Sequence, residues 1–177
     1  MTAPNEVVLQ AATLSDAAVL SNLLELYSHD LSDVFALEPG ADGRFGYRNL
    51  SLYWSECARR SAFLIRVGTR LGGFALVTRG SPGSDDPNDL DIAEFFILRR
   101  HRRSGVGRRA ACLLWDRFPN RWIVRVSEGN QNGIRFWSSV IAEYTRGIFL
   151  ETTRPGSPHP WRVFSFNSVK QQTAGVT

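Results

Sequence analysis

The first thirty residues carry two hydrophobic patterns in succession. A short apolar run, Val7–Ala11, predicts a strand. The apolar positions that follow recur at helical spacing, namely Leu14, Ala18, Leu20, Leu23, Leu24 and Tyr27. Thr13 or Ser15 can cap this helix, because a side-chain hydroxyl accepts a hydrogen bond from a free N–H of the first turn. A strand, an amphipathic helix and a polar loop with several glycines therefore open the chain.

Strand patterns dominate the middle of the chain. A second helix is predicted over 50–59, and the apolar runs 62–67 and 71–78 follow it. The short turn between these two runs contains Gly68 and predicts a β-hairpin. An acidic loop with two prolines comes next, and the aromatic and branched run 90–98 then predicts a central strand.

Helix and strand patterns alternate in the last part of the chain. Helical periodicity covers 106–119 and 130–144, and strand patterns cover 121–128, 144–152 and 161–167. The complete order is strand, two helices, three strands, helix, strand, helix and two strands. This order predicts an α/β (α+β) architecture, a mixed central sheet of about seven strands flanked by helices. We expect one domain over residues 1–177, with its core at about 6–167.

Composition narrows the class of protein. The chain has 177 residues, of which 43% are apolar and 21% are charged, and its formal net charge is +4. Six of the 21 basic residues lie in Leu98–Arg109, and without them the chain has 15 basic and 17 acidic side chains. Such a local surplus argues against a nucleic-acid-binding protein. The sequence lacks a signal-peptide pattern and a membrane-length apolar run, so a cytoplasmic protein is predicted, with neither a membrane nor a nucleic acid as partner.

The basic stretch connects the predicted central strand to a predicted helix. The first turn of a helix presents unpaired N–H groups and a partial positive charge, which together favour an anion. Gly105 and Gly107 let a phosphate approach these N–H groups, and Arg102, Arg103 and Arg108 can add charge-assisted hydrogen bonds. The lysine-ended phosphate loop of ATPases is absent, and the dinucleotide fingerprint lacks its third glycine.

The spacing Arg102-x-x-Gly105-x-Gly107 resembles the pyrophosphate loop of the GCN5-related N-acetyltransferases (GNAT), [Q/R]-x-x-G-x-[G/A]. A second stretch, with Asn130, Gly133, Phe136 and Trp137, is similar to that family's signature N-x-x-[AG]-x-x-[FL]-[YF]. The run Glu94-Phe95-Phe96 resembles a strand of polyamine-acetylating members. The element order also agrees over about residues 6–167, and the match is sharpest over 91–141.

The resemblance implies the acyl-CoA N-acyltransferase (GNAT) fold, with acetyl-CoA as co-substrate and no metal. Acetyl-CoA would lie between the strand ending at Leu98 and the strand ending at Val126, which splay apart in this family. Its pyrophosphate would lie on the N–H groups of residues 103–108. The implied cofactor-binding residues are Ile97, Leu98, Arg99, Arg102, Arg103, Ser104, Gly105, Val106, Gly107, Arg108, Asn130 and Phe136.

Acetyl transfer to an amine requires a base, an oxyanion donor and a proton for the departing thiolate. Glu94 and Asp91 are the candidate bases, and we favour Glu94 because its flanking phenylalanines raise a carboxyl pKa. On a regular strand these two side chains face opposite sides, but the family usually has a bulge in this strand. A backbone N–H near 95–97 would serve the oxyanion.

The family commonly places a tyrosine acid where this chain has Trp137, which has no titratable proton. The proton would then come from Tyr144, from Tyr53 or from water, or a strong acid is unnecessary. Trp137 itself is expected in the core or in the cofactor wall.

The resemblance places the acceptor site near the end of the first helix. The candidate acceptor residues are His29, Asp30, Asp33, Tyr53 and Trp54, together with Glu56. These observations predict an N-acetyltransferase acting on a primary amine of a small molecule or protein, by direct attack in a ternary complex. Two alternatives stay open, an inactive acyl-CoA sensor and an arginine-rich nucleic-acid-binding module. Homodimers are frequent in the family, and nothing in this sequence requires one.

Overall fold

Strands and helices follow one another in the predicted order in the computed structural model, which describes residues 6–168. The strands are β1 (Val7–Ala11), β2 (Arg60–Val67), β3 (Arg70–Arg79), β4 (Leu90–Ile97), β5 (Arg121–Ser127), β6 (Leu150–Arg154) and β7 (Trp161–Asn167). The helices are α1 (Ala17–Phe35), α2 (Leu52–Ser55), α3 (Val106–Arg117) and α4 (Gln131–Thr145). Within the described residues, no helix is both long and apolar enough to cross a bilayer.

Three element boundaries differ from the predictions. The first helix continues to Phe35 and ends where Ala36 adopts a left-handed conformation, with φ of 49°. Only the turn Leu52–Ser55 of the predicted second helix is helical, because the chain turns after Glu56, whose carbonyl oxygen accepts hydrogen bonds from the N–H groups of Arg59 and Arg60. Helix α4 runs through Thr145 and ends where Arg146 (φ 53°) and Gly147 (φ 82°) adopt left-handed conformations, so the next strand begins at Leu150 instead of Tyr144.

The seven strands form one mixed sheet in the order β1-β2-β3-β4-β5-β7-β6. Every neighbouring pair is antiparallel except β4 and β5, which run parallel. That parallel pairing consists of only two residue pairs, Leu90 with Trp122 and Asp91 with Ile123. Beyond Asp91 the two strands diverge, which confirms the predicted splay of the central strands.

A hydrophobic layer covers each face of the sheet, because successive strand residues point to opposite faces. On one face, Phe63 and Ile65 pack with residues of α3 and α4 around the fully buried Trp115. On the other face, Leu64 and Phe74 pack with α1 and α2, where the buried residues include Leu20, Leu23, Leu24 and Tyr53. The divergence of β4 and β5 therefore opens a cleft between two well-packed halves.

Candidate active site

The cleft between β4 and β5 has a volume of about 1550 Å³. Its walls come from α1, the loop that carries Tyr47, β4, the segment between β4 and α3, the first turn of α3, β5, α4 and the residues around the start of β7. Glu94 and Arg125 lie at one end, whereas Arg102, Gly105 and Gly107 lie with Asn130 and Phe136 in its wall. One continuous space thus joins the predicted catalytic carboxylate, Glu94, to the predicted anion-binding stretch, residues 98–109 (the anion loop).

A bulge in β4 places both candidate carboxylates on the same face of the sheet. Leu76 of β3 pairs with Glu94, but its neighbour Val77 pairs with Ile92, so Ala93 has no partner in the ladder. The extra residue reverses the alternation of side chains. Glu94 consequently lies on the α1 side of the sheet, as Asp91 does across from Thr78. The expected bulge is confirmed.

Two tyrosine hydroxyls hold the carboxylate of Glu94. Tyr27 of α1 donates a hydrogen bond to Oε2 at 2.6 Å, and Tyr47 donates to Oε1 at 3.1 Å. Burial raises the pKa of Glu94, although the two tyrosines and the nearby Arg125 oppose that shift. A carboxyl group with a raised pKa accepts a proton more readily near neutral pH, which is what a general base requires.

The loop that carries Tyr47 is attached to α1 through Glu25. The Glu25 carboxylate accepts hydrogen bonds from the backbone N–H groups of Phe45 (2.7 Å) and Gly46 (3.1 Å). Gly46 has a φ of 68°, a conformation that favours glycine. This anchoring brings the next residue, Tyr47, to Glu94, so a residue outside the cleft positions one of the two tyrosines.

Asp91 is paired with Arg125 at the point where the strands separate. The side chain of Asp91 is 1% exposed, and Nη2 of Arg125 lies 2.6 Å from its Oδ2. The guanidinium also lies under the ring of Trp161, 5.5 Å from the ring centre. Trp161 in turn stacks on Phe35 of α1, with ring centres 5.7 Å apart. Asp91 is therefore engaged in an ion pair, and Glu94 is the carboxylate that faces the cleft.

The anion loop presents its main chain to the cleft. Gly105 is the N-cap of α3, and its φ of 81° belongs to the left-handed region. A Cβ built on Gly105 would meet no atom within 4 Å, so the approach to the helix start is open. The first turn of α3 supplies N–H groups without helical acceptors. This combination suits a pyrophosphate group, as the motif predicts.

Three arginine side chains of the basic stretch have protein partners. Arg102 donates from Nε to the carbonyl oxygen of Ile97 at 2.7 Å and also binds Asp30. Arg99 binds the same carboxylate at 2.7 Å, and Arg108 is paired with Glu143. The backbone N–H groups are consequently the more accessible phosphate donors, and three of the arginines hold the loop to α1 and α4.

The glycines of both motifs allow α3 and α4 to meet at the cleft wall. A Cβ on Gly107 would lie 3.2 Å from the ring of Phe136 and 3.4 Å from Ile97. Asn130 is the N-cap of α4, and its side chain accepts a hydrogen bond from the N–H of Gly133 at 2.9 Å. A Cβ on Gly133 would lie only 2.6 Å from the Asn130 amide. The second motif therefore shapes the edge along which a ligand would lie.

Trp137 and Tyr144 occupy different parts of the molecule. Trp137 is 8% exposed, packs against Phe95 with ring centres 5.0 Å apart, and contributes to the cleft wall, in agreement with the predicted role. Tyr144 donates a hydrogen bond to Asp116 at 2.9 Å and packs against Trp115. Its side chain does not line the cleft, so the structure does not bring this candidate acid to Glu94.

Only one of the five candidate acceptor residues lines the cleft. Helix α1 is longer than predicted, and its cleft face carries Tyr27, Asp30, Leu31 and Phe35, which follow the i, i+3, i+4 and i+8 spacing of one helix face. His29 and Asp33 point to a smaller neighbouring depression, Tyr53 is buried, and Trp54 packs in the α1-side layer. Glu56 is paired with Arg60 and does not line the cleft either.

Sequence reasoning did not find five residues that shape this end of the cleft: Tyr27, Phe35, Tyr47, Arg125 and Trp161. Tyr27 has the spacing of a core residue, and the loop around Tyr47 has no period. Arg125 could have been identified from the sequence, because a charged residue between two valines of a buried strand normally has a partner or a function.

Comparison with known proteins assigns the fold. No family model and no curated protein matches the sequence. Among solved structures, an acetyltransferase from Thermus thermophilus is 20% identical over 93% of this chain and 98% of that chain, with a TM-score of 0.65. A spermidine N-acetyltransferase from Vibrio cholerae, in complex with CoA and spermine, is 13% identical over 93% and 96%, with a TM-score of 0.63.

A third similar structure is a putative acetyltransferase of the GNAT family from Desulfovibrio desulfuricans, which is 11% identical over 93% of this chain and 100% of that chain, with a TM-score of 0.62. Identities this low establish a common fold. The fold is that of the GNAT acetyltransferases, as the resemblance implied.

Proposed function

We propose that this protein, which has the GNAT acetyltransferase fold, transfers an acetyl group from acetyl-CoA to a primary amine. The observation that carries the proposal is the position of Glu94. It faces the cleft where β4 and β5 diverge, and the same cleft leads to the open N-terminus of α3. An anion-binding helix start and a carboxyl base in one cleft are the two parts that this reaction needs.

The residues along the cleft suit binding of acetyl-CoA. The backbone of Ile97, at the end of β4, would pair with the pantetheine arm, and the N–H groups of residues 103–108 would bind the pyrophosphate. Leu98, which was also predicted to bind the cofactor, does not line the cleft, and its N–H donates to the carbonyl oxygen of Gly72 at 2.9 Å. Asn130 and Phe136 shape the opposite wall. Bound there, acetyl-CoA supplies the acetyl group as a thioester and is released as the free thiol.

Glu94 is the base in this proposal. Its carboxylate takes a proton from the ammonium group of the acceptor, and the free amine can then attack the thioester carbonyl directly. Tyr27 and Tyr47 keep the carboxylate oriented while it changes protonation state. A backbone N–H between Phe95 and Ile97 is the donor that we assign to the carbonyl oxygen of the acetyl group.

The departing thiolate receives, through water, the second proton that the attacking nitrogen loses as the carbon–sulfur bond breaks. Trp137 has no titratable proton, and Tyr144 lies outside the cleft. A thiol with a pKa of about 8.5 is a good leaving group without a strong acid. Water in an open cleft is therefore sufficient for this step.

The two alternative functions receive different support. Three of the six arginines in the basic stretch, Arg99, Arg102 and Arg108, are already paired with acidic side chains, which argues against a nucleic-acid surface. The buried Trp137 in place of a tyrosine is the observation that favours an acyl-CoA sensor.

Two measurements separate an enzyme from a sensor. Calorimetry should detect acetyl-CoA binding at micromolar concentrations, and an amine library should yield free CoA, detected with a thiol reagent. If acetyl-CoA did not bind at tens of micromolar, both the enzyme and the sensor hypotheses would be wrong. Tight binding without thiol release for any amine would leave the sensor.

A further inference from the structure

Resting on the proposed function, we infer that the acceptor is a monoamine with a flat apolar body, and that Arg125 excludes acceptors with a second cationic group. The similarity to a spermidine N-acetyltransferase shows a common fold. The acceptor end of this cleft differs in charge and shape from a site that would bind several ammonium groups.

The available negative charge at the acceptor end is a single carboxylate. Two acidic residues line the cleft, Asp30 and Glu94. Asp30 is neutralised by two guanidinium groups, those of Arg99 and Arg102. Glu94 interacts with neutral tyrosine hydroxyls, and no ion pair joins it to a basic side chain within residues 6–168. One ammonium group can therefore be matched here.

A fixed positive charge lies beside that carboxylate. Arg125 lines the cleft and is 19% exposed, and its charge acts on both Glu94 and Tyr27. The ion pair with the buried Asp91 and the overlying ring of Trp161 prevent the guanidinium from moving away. A second ammonium group on the acceptor would be placed near this charge, where little water screens the repulsion.

Aromatic rings form the remaining walls of the acceptor end. Phe35 from α1 and Trp161 from β7 stack on each other across the cleft, at an interplanar angle of 30°. The rings of Tyr27 and Tyr47 stand beside Glu94. All four side chains are partly exposed, so the parts of these rings that are not covered by one another or by Arg125 offer apolar surface to a ligand. An acceptor with an aromatic body would bury that surface once its amine reaches Glu94.

Two matched pairs of amines test the inference in the wild-type enzyme. Butylamine and 1,4-diaminobutane differ only by the second amine, and we expect kcat/KM for butylamine to be at least about tenfold higher, equivalent to about 1.4 kcal/mol. We also expect kcat/KM for 2-phenylethylamine to exceed kcat/KM for both butylamine and phenylalanine. Equal or faster acetylation of the diamine would overturn the exclusion. If phenylalanine were acetylated faster than 2-phenylethylamine, Arg125 would bind the carboxylate of the acceptor. The inference that the body of the acceptor is apolar would then be wrong.

A paired substitution tests the role of Arg125 itself. Asp91→Asn together with Arg125→Gln replaces the ion pair by two amides, which avoids leaving a buried carboxylate without its partner. This variant should acetylate 1,4-diaminobutane and butylamine at similar kcat/KM, whereas Arg125→Lys should keep the wild-type ratio. An unchanged ratio in the double variant, with wild-type affinity for CoA, would refute the assignment.

The proposed function and the acceptor inference can fail separately. If CoA binds and no amine releases thiol, the proposed function fails. If amines are acetylated but the diamine is preferred, the proposed function stands and only the acceptor inference is wrong.

Discussion

Replacing Gly105 by alanine separates the strain of the anion loop from its ability to bind a ligand. Gly105 has a φ of 81° at the start of α3, and a Cβ there would meet no protein atom. Gly147 is a close match at the end of α4, with a φ of 82°, an exposed position and no atom within 4 Å of a Cβ. Gly147 does not line the cleft, whereas Gly105 does.

The two substitutions should destabilise the protein equally. An L-residue in the left-handed region costs about 1–2 kcal/mol, which corresponds to a decrease of about 2–8 °C in Tm for a chain of this size. Only at Gly105 would the added methyl group keep a pyrophosphate away from the backbone N–H groups. If one charge-assisted hydrogen bond worth about 1.5–3 kcal/mol is lost, Kd for CoA rises roughly 10- to 150-fold.

Thermal unfolding and calorimetric titration with CoA measure the two effects. We expect similar Tm values for Gly105→Ala and Gly147→Ala, and a weaker Kd only for Gly105→Ala. The bulkier Gly105→Val should abolish measurable binding. If Gly105→Ala and Gly147→Ala bound CoA equally well, the pyrophosphate would have to lie elsewhere, and the assignment of the loop would be wrong.

Three further predictions concern the base and the second motif. Glu94→Gln should lower kcat/KM by about 100- to 10,000-fold, the usual contribution of a general base, and should remove the rise of kcat/KM with pH that the raised pKa of Glu94 produces. The stability that a raised pKa in the folded state provides is lost as pH rises. In urea unfolding, the free energy of unfolding of Glu94→Gln should therefore increase relative to that of wild type as pH increases. A difference between the two proteins that does not change with pH would show that the carboxyl group is not buried. Tyr47→Phe removes a hydrogen bond that lowers the pKa of Glu94, so the acidic limb of the pH–rate profile should move to higher pH. Asn130→Ala leaves the N–H of Gly133 uncapped and should lower the free energy of unfolding by about 0.5–2 kcal/mol, measured by denaturant titration.

Local patterns were enough to predict the order of the strands and helices and the position of the loop between β4 and α3. The periodicity of the strands and helices does not depend on distant residues, and the motif from Arg102 to Gly107 lies on one continuous strand–turn–helix segment. Asn130 was predicted only through the family resemblance, as a cofactor-binding residue, whereas its role as the N-cap of α4 became evident from the structure.

The acceptor end depends on contacts that periodicity does not encode. Tyr27 reaches Glu94 across 67 positions of sequence, and Tyr47 reaches it only because Glu25 binds the intervening loop. His29 and Asp33 were expected at the site because α1 was taken to end near them. The observed helix continues, and its twist turns these two side chains away from the cleft.

The short contact between β4 and β5 also has a mechanical consequence. The sheet consists of two panels, β1 to β4 and β5 to β6, with a seam of two residue pairs that is reinforced beside it by the Asp91–Arg125 bridge. Past this seam, backbone groups of both strands lack a partner in the other strand, so a ligand lying between them would take the place of a strand. Ligand binding would then restrict movement of the two panels relative to each other, and ligand release would again allow the sheet to bend at Asp91.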